Sequence, residues 1–442
     1  MPPEPPVRTF EVTHRSVLAI AVPMTAAYLS TPLIGVVDTA VIGQLGDAAL
    51  IGGIAVGAVI FDIIFTTFNF LRSGTTGLTA QALGAGDAEE ERAVLWRAMS
   101  IALVSGLVVI ALQTPMLALA LKLMGPSEPV AAVTGEYFRI RVLAAPFALA
   151  NYAILGWFIG LGRAGTGLAL QTLLNGLNIV LSVYLVLWLG WGIAGVAWGT
   201  VLGQTVTAIA GLGLVAARGR AALPALRAVF DRARFKHMIA LNRDIMIRSF
   251  TLLFAFAFFT SQGARSGDLI LAANAVLMNF FLVASYFLDG MATAAEQLAG
   301  RAVGARWRPG FERAVGLTLI WSLALALALA AILWLAGPAL IDLMTTSEDV
   351  RAAARVYLAW AAATPLLGAL AFQMDGVFIG ATWSVDMRNM MLASLIAYLA
   401  TWWLAAPALG NHGLWLALLI FLSVRGVTLA WRCRVRARRL FA

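Results

Sequence analysis

The chain lacks what a water-soluble protein needs on its outside. Charged side chains make up 12% of its 442 residues, against about 25% in soluble globular proteins. That surface cannot shield a chain that is 61% apolar, so a soluble fold is excluded and an all-α polytopic membrane protein is expected. Cysteine occurs once, at Cys433, which rules out an intramolecular disulfide and leaves no cysteine-rich zinc motif. Histidine is nearly as scarce: His14, His237 and His412 all fall outside the apolar runs. The clustered His, Asp or Glu of a membrane-embedded enzyme is therefore missing, and neither a cofactor nor a metal centre is expected. No secretory leader is expected either, because "MPPEPPVRTFEV" carries two acids among its prolines and the first apolar run is too long for a leader's core.

Acids are scarcer than bases, 22 against 31, for a net charge of +9. A basic chain can bind nucleic acid, but in a membrane protein Lys and Arg gather in cytoplasmic loops. No nucleic-acid partner is expected.

What is abundant is long apolar sequence. Segments at 16–43, 49–82, 94–121, 137–161, 167–189, 193–216, 239–262, 268–303, 314–344, 352–381, 387–408 and 413–431 are each long enough to cross about 30 Å of hydrocarbon. Twelve transmembrane helices follow. The connection between the sixth and seventh holds Arg218, Arg220, Arg227, Arg232, Arg234, Lys236, Arg243 and Arg248. The tail holds Arg432, Arg434, Arg436, Arg438 and Arg439, whereas the loop between the first and second has only Asp47. The positive-inside rule then puts both termini in the cytoplasm of a bacterial plasma membrane, as an even number of spans also requires. The tail and linker arginines are expected to meet anionic membrane lipids.

The sequence is duplicated. "YFRIRVLAAPFALANYAILGWFIG" from Tyr137 and "YLAWAAATPLLGALAFQMDGVFIG" from Tyr357 align at an offset of 220, as do Gly156 with Gly376 and Gly160 with Gly380. "QALGAG" at 81–86 and "RAVGAR" at 301–306 keep the same offset. Six spans per copy make the repeat parallel, and transporters of that symmetry bind substrate between two pseudo-symmetric six-helix lobes. The expected organisation is residues 1–217 as the N-lobe, 218–238 as a cytoplasmic linker, and 239–442 as the C-lobe with its basic tail. A monomer is expected.

An ionisable residue inside a span is a candidate for function. The acids are Asp38, Asp62, Asp289, Glu296 and Asp375, and the one base is Arg72; Asn69, Asn151, Asn175, Asn178, Asn274, Asn279 and Gln373 add amides. Asp38 is too short to snorkel far, and a carboxyl in a poorly hydrated site binds a proton more readily than one in water. Asn175 and Asn178, one helical turn apart, suit a carboxyl that gains and loses a proton; the alternative is that they bind helix to helix. Asp62, Thr66 and Asn69 form a polar stripe. Arg72 and Asp289 occupy equivalent places in the two copies with opposite charge, as expected of a cytoplasmic gate, unless each pairs within its own lobe. Asp375, beside Gln373, replaces a leucine of the first copy, Leu155, so the repeat does not require it. Glu296 is expected at a solvated interface. Pro23, Pro32, Pro146 and Pro365 interrupt spans and permit kinks. With acids outnumbering the single interior arginine, a cationic substrate is expected, and aromatic side chains allow cation–π contacts to it.

At "PLIGVVDTAVIGQLG", "FLRSGTTGLTAQALGAG", "FLDGMATAAEQLAGRAVGA" and "FQMDGVFIG" the chain resembles the multidrug and toxic compound extrusion (MATE) transporters, most of all their DNA-damage-inducible-F branch. The resemblance spans nearly the whole chain. It implies two six-helix lobes and antiport of organic, often cationic, compounds against a cation gradient. It also implies that Asp38 binds the coupling proton or sodium, that Pro23 bends the first helix, and that Asn178 is the partner asparagine. One departure is Ser182, where the family usually has a second aspartate. That leaves one carboxylate and favours a proton over Na⁺ at Asp38. The expected function is a proton-coupled antiporter exporting small organic compounds by alternating access. The alternatives are a lipid-linked or organic-anion exporter of the same superfamily and, outside transport, a membrane-embedded enzyme.

Overall fold

The computed structural model describes residues 9–217 and 224–441, and it is helical throughout its regular structure. In chain order the helices are α1 His14–Gly43, α2 Ala48–Thr67, α3 Phe70–Ala85, α4 Ala88–Ala111, α5 Gln113–Met124, α6 Glu128–Arg141, α7 Ala145–Gly160, α8 Ala164–Val183, α9 Gly192–Val215, α10 Leu226–Val229, α11 Arg232–Arg265, α12 Asp268–Gly304, α13 Arg308–Met344, α14 Glu348–Gly380, α15 Ser384–Leu409 and α16 Asn411–Leu440. Among the described residues 12 helical segments are long and apolar enough to cross a membrane. Residues 218–223 of the expected linker lie outside the described residues.

Local sequence explains where helices start and stop. Asp47 and Asp87 cap α2 and α4, accepting from the amides of Ala49 at 2.8 Å and Glu90 at 2.9 Å. Glu89, Glu90 and Glu91 then fill the first turn of α4, where the helix dipole favours acids. The expected third span at 94–121 is two helices, because Pro115 has no amide for the carbonyl of Ala111, where α4 ends. Pro146 does the same to Val142, and a 3-10 turn at Val142–Ala144 separates α6 from α7. The expected span at 49–82 breaks at Phe68, between α2 and α3. Pro365 is instead carried inside the continuous helix α14.

By contact the chain forms two compact units. One comprises Ala26–Thr79 and Asp87–Ile239; the other comprises the chain up to Thr25, Ala80–Gly86 and Ala240–Ala442. The halves of the sequence and the compact units are thus different partitions, since α1 and α3 each contribute to both. The first unit packs around Phe61, Tyr137 and Phe138, all buried, with the Phe61 and Phe138 rings stacked at 5.0 Å. The second packs around Phe259, Tyr398, Trp415 and Phe421.

The repeated glycines mark one helix crossing built twice. In the first unit Gly156 and Gly160 of α7 lie on the α3 backbone at Arg72 and Thr76. In the second, Gly376 and Gly380 of α14 lie on the α12 backbone at Ala292 and Glu296. A methyl group at any of the four would collide with a main-chain carbonyl, so only glycine lets the helices approach so closely. Another repeated pair is reciprocal within the second unit: Gly84 rests on the carbonyl of Arg301, and Gly304 on that of Gln81. Gln81 also donates to the Gly380 carbonyl at 2.8 Å.

Several charges expected in loops are tied down inside the units. Arg232, Arg234, Lys236, Arg243 and Arg248 lie on the 34-residue helix α11. Asp244 on that helix, 1% exposed, accepts from Arg388 at 2.7 Å and Ser384 at 3.0 Å on α15. Asp386, also buried, is bonded by Arg432 and Arg436 of the basic tail. In the first unit Arg97, buried on α4, donates to the carbonyls of Val229 at 2.9 Å and Ala228 at 2.8 Å, pinning α10.

Candidate functional site

Asp38 is on α1 and is 6% exposed. The Ser182 hydroxyl of α8 faces its carboxyl. Asp38 Oδ1, Ser182 Oγ and Asn178 Oδ1 are all buried without a protein hydrogen-bond partner. Asn178 and Ser182 stand one turn apart on α8, and Gly203 and Gly199 of α9 let that helix close on them. Buried polar atoms are almost always bonded, so three partnerless oxygens in one neighbourhood, one of them charged or protonated, mark a site.

The amides are arranged differently from the sequence expectation. Asn178 donates through Nδ2 to Thr200 Oγ1 at 2.9 Å. Asn175 donates to Ser30 Oγ at 2.7 Å and accepts from Gln171 at 2.9 Å. Each amide nitrogen thus gives one of its two N–H groups to a residue other than Asp38, and Asn178 Oδ1 is left as an acceptor without a protein partner. An acceptor suits a protonated carboxyl, which can donate, and repels an ionised one, which cannot. Ser182, by contrast, can donate or accept. Sequence reasoning gave it little weight because a serine in an apolar helix carries no signal of its own.

Beside Asp38 the first unit holds a cavity of about 300 Å³. Helix α1 supplies Tyr28, Thr31 and Ile34 to its wall, and Thr31, Ile34 and Asp38 fall on one helix face by their spacing. Asn175 and Asn178 of α8, with Thr200 and Gln204 of α9, complete another side. Asp62, Asn69 and Arg72 line it as well. Asn69 is in the turn after α2 and not on a continuous stripe with Asp62; it accepts from Arg72 Nε at 3.3 Å. Arg72 also donates to Ser73 at 3.1 Å and lies 5.9 Å from the Tyr28 ring centre. Asn151 is committed to Gln204, at 2.8 Å.

The expectation of a single interior arginine is overturned. Arg141 also lines this cavity. It ends α6 just before the 3-10 turn, donates to the Tyr137 hydroxyl, and stacks 4.6 Å from the Phe61 ring centre. Its stretch, "YFRIRVLAAP", falls within the expected span at 137–161, and the break before Pro146 is what ends the helix at this arginine.

The second-unit candidates are held in several separate sets of contacts. Asp375, 4% exposed, accepts from Arg425 of α16 and from Arg248 of α11, whose Nε lies at 3.1 Å. Arg248, expected in a cytoplasmic connection, and Arg425, in the last span, were both missed as interior charges. Gln373 donates to Thr318 at 3.0 Å. Asp289 is half-buried on α12, where its carbonyl accepts from Thr293 at 2.8 Å. Glu296, expected at a solvated interface, is 2% exposed. Asn274 pairs reciprocally with Asn411 at 2.8 and 2.9 Å, which is helix-to-helix adhesion; Asn279 is exposed. Pro23 is half-buried on α1, two residues before that helix passes from one compact unit to the other.

Twelve helical segments among the described residues that are long and apolar enough to cross a membrane, a duplicated six-helix plan in the sequence and a buried carboxyl beside a polar cavity are the features of a membrane transporter. The chain belongs to the MATE family: the MatE family model matches it twice, over residues 23–184 and again over 245–405. It is 39% identical to DNA damage-inducible protein F of Escherichia coli (strain K12) over 435 residues, covering 96% of this chain and 93% of that protein. A probable multidrug resistance protein NorM of Caulobacter vibrioides is 26% identical, covering 95% of this chain and 93% of its own. A solved outward-facing multidrug resistance MATE transporter superimposes with a TM-score of 0.87 at 20% identity, over 97% of this chain and 96% of that one. The family resemblance read from the motifs is borne out, as is the all-helical fold with twelve spans.

Proposed function

We propose that this chain is a proton-coupled antiporter that exports small organic compounds across a bacterial plasma membrane, with both termini in the cytoplasm. The observation that carries this reading is Asp38, a carboxyl buried in the first unit with one oxygen that has no protein partner. An ionised Asp38 accepts from the Ser182 hydroxyl. A protonated Asp38 becomes a donor and seeks an acceptor, of which Ser182 Oγ and Asn178 Oδ1 are two that nothing else occupies. Each proton gained or lost therefore rearranges the bonding between α1 and α8. Because Thr31 and Ile34 of α1 also wall the cavity, that rearrangement changes the room left for substrate. Pro23 leaves the carbonyl of Ala19 without its helical bond, which makes α1 easiest to bend there. Proton and substrate exclude each other through the shape of α1, and alternating access turns that exclusion into exchange.

Sodium fits less well. It favours several charged oxygens, and Ser182 supplies a neutral one. Transport by the purified chain in liposomes, with pH and sodium gradients imposed separately, tests the reading. Efflux should follow the pH gradient; efflux driven by sodium alone, or by neither, overturns it.

A further inference from the structure

The second unit holds a cleft that the transport reading does not use. Its volume is about 600 Å³, and its walls are residues 9–13, which lead into α1, and the start of α13. That volume falls in the range of small-molecule sites.

The sequence builds the cleft from two helix starts. Thr13 and Ser16 cap α1 reciprocally: the Thr13 amide donates to Ser16 Oγ at 2.9 Å, and the Ser16 amide to Thr13 Oγ1 at 3.2 Å. The helix begins there, and residues 9–12 run outside it. Phe10 packs edge-on against Trp307, the residue before α13, with ring centres 5.2 Å apart. The Arg301 guanidinium of α12 lies 4.0 Å from the Phe10 ring centre, and the Trp321 indole of α13 donates to His14 Nδ1 at 3.1 Å. These contacts hold the segment against α12 and α13. Helix α12 ends at Gly304, α1 begins at His14 and α13 at Arg308, and all three are long and apolar enough to span. The cleft thus lies where spans end and lipid headgroups begin, with a tryptophan in its wall as is common at that depth.

Its lining joins an apolar part to two opposite charges. Phe10, Val12, Trp307 and Pro309 are the apolar part; Glu11 and Arg313 are the charges. Both charged side chains are exposed, and among the described residues neither has an ion-pair partner, whereas Arg308 and Glu312 close by pair at 2.8 Å. A purely anionic headgroup would meet Glu11, and a purely cationic ligand would meet Arg313. A ligand carrying a phosphate and an ammonium a few bonds apart satisfies both with charge-assisted hydrogen bonds. Phosphatidylethanolamine is such a ligand, and its glycerol and acyl carbons match the apolar wall. Phosphatidylcholine has the same charges but no N–H to donate to a carboxylate.

We propose that this cleft is a headgroup site for phosphatidylethanolamine, with Arg313 on the phosphate and Glu11 on the ammonium. On the topology proposed above, the lipid comes from the cytoplasmic leaflet. Seated there, it ties the segment before α1 to α13. The proposal does not depend on which ion or compound the chain transports.

The test is lipid binding to the purified full chain in detergent, read by native mass spectrometry with phosphatidylethanolamine, phosphatidylcholine and phosphatidylglycerol of one acyl length. Each variant is compared with the wild type, so that lipid on other surfaces cancels. Exposed charge pairs are weak, so the wild type should bind phosphatidylethanolamine about threefold more tightly than either of the others. Glu11→Gln should remove the preference over phosphatidylcholine, and Glu11→Asp should keep part of it. Arg313→Gln should weaken both lipids equally, because both carry the phosphate. All three variants should unfold at the wild-type temperature, since the side chains are exposed. Equal binding of phosphatidylethanolamine and phosphatidylcholine by the wild type overturns the proposal, as does an unchanged preference in Glu11→Gln. Tighter binding of phosphatidylglycerol makes the cleft a site for anionic lipid and overturns it too. So does soluble glycerophosphoethanolamine that competes as strongly as the whole lipid, because the ligand would then not come from the membrane.

Discussion

At the scale of single residues, the two units put carboxyls to opposite uses. Asp38 is buried with an oxygen unused by the protein, whereas Asp375 is buried with two arginines upon it. The first arrangement leaves a charge free to change and the second fixes one. Asp38→Asn should therefore fold and insert normally yet lose transport driven by an imposed pH gradient; dye efflux in liposomes measures it, and wild-type rates would make the carboxyl structural. Asp38→Glu should keep a remnant with shifted pH dependence. Ser182→Ala should shift the pH dependence as well, because it removes a hydroxyl that faces the Asp38 carboxyl and can donate to its ionised form or accept from its protonated one. Asp375→Asn should act differently. It strands two sequestered guanidinium groups, which costs about 3–5 kcal/mol when one partner of a buried pair is removed. A clear fall in the unfolding temperature of the purified chain, with transport per folded molecule retained, is the expected outcome.

At the scale of helices, the glycine pairs decide how closely the elements pack and, through that, where the cavity residues stand. Gly156 sits on the backbone of Arg72, so a methyl group there pushes on the residue that lines the cavity. Gly156→Ala should cost about 1–3 kcal/mol by overpacking and should also weaken substrate binding. Gly376→Ala, its counterpart on the Ala292 backbone, should cost a similar amount of stability and leave binding to the first-unit cavity unchanged. Thermal unfolding and probe binding measured side by side on the two variants check the distinction. Pro23 belongs to this scale as well. Pro23→Ala restores the bond to the Ala19 carbonyl and should stiffen α1, lowering the exchange rate more than the substrate affinity.

At the scale of the whole molecule, the arginines of the tail have a place in the packing. Arg432 and Arg436 bond the buried Asp386 of α15, so part of the tail fastens the second unit, besides the orienting role expected of its charge. Removing the residues after Trp431 should lower the amount of folded protein in the membrane more than it lowers transport per molecule, as surface quantification beside liposome transport would establish. Asp386→Ala should relieve the truncated chain in part, because it removes the carboxyl left without its arginines.

The sequence alone determined the class of fold, since apolar run length and scarce charge leave few ways to satisfy a backbone in lipid. It also determined the duplication, which follows from glycine spacing, and the candidacy of Asp38, which follows from a short acid in an apolar run. Pro115 and Pro146 made two helix breaks legible, although the residues those breaks would expose were not. The tertiary structure decided which charges meet. Arg248, Arg425 and Asp375 are far apart along the chain, and nothing in their separate surroundings says that they converge. It decided the direction in which Asn178 and Asn175 spend their donors, because an amide in a helix has two faces and only its neighbours select one. It decided, too, which charges share the cavity. Composition counts charges along the chain, but packing brings Arg72, Arg141 and Asp62 to one lining, with Asp38 beside it.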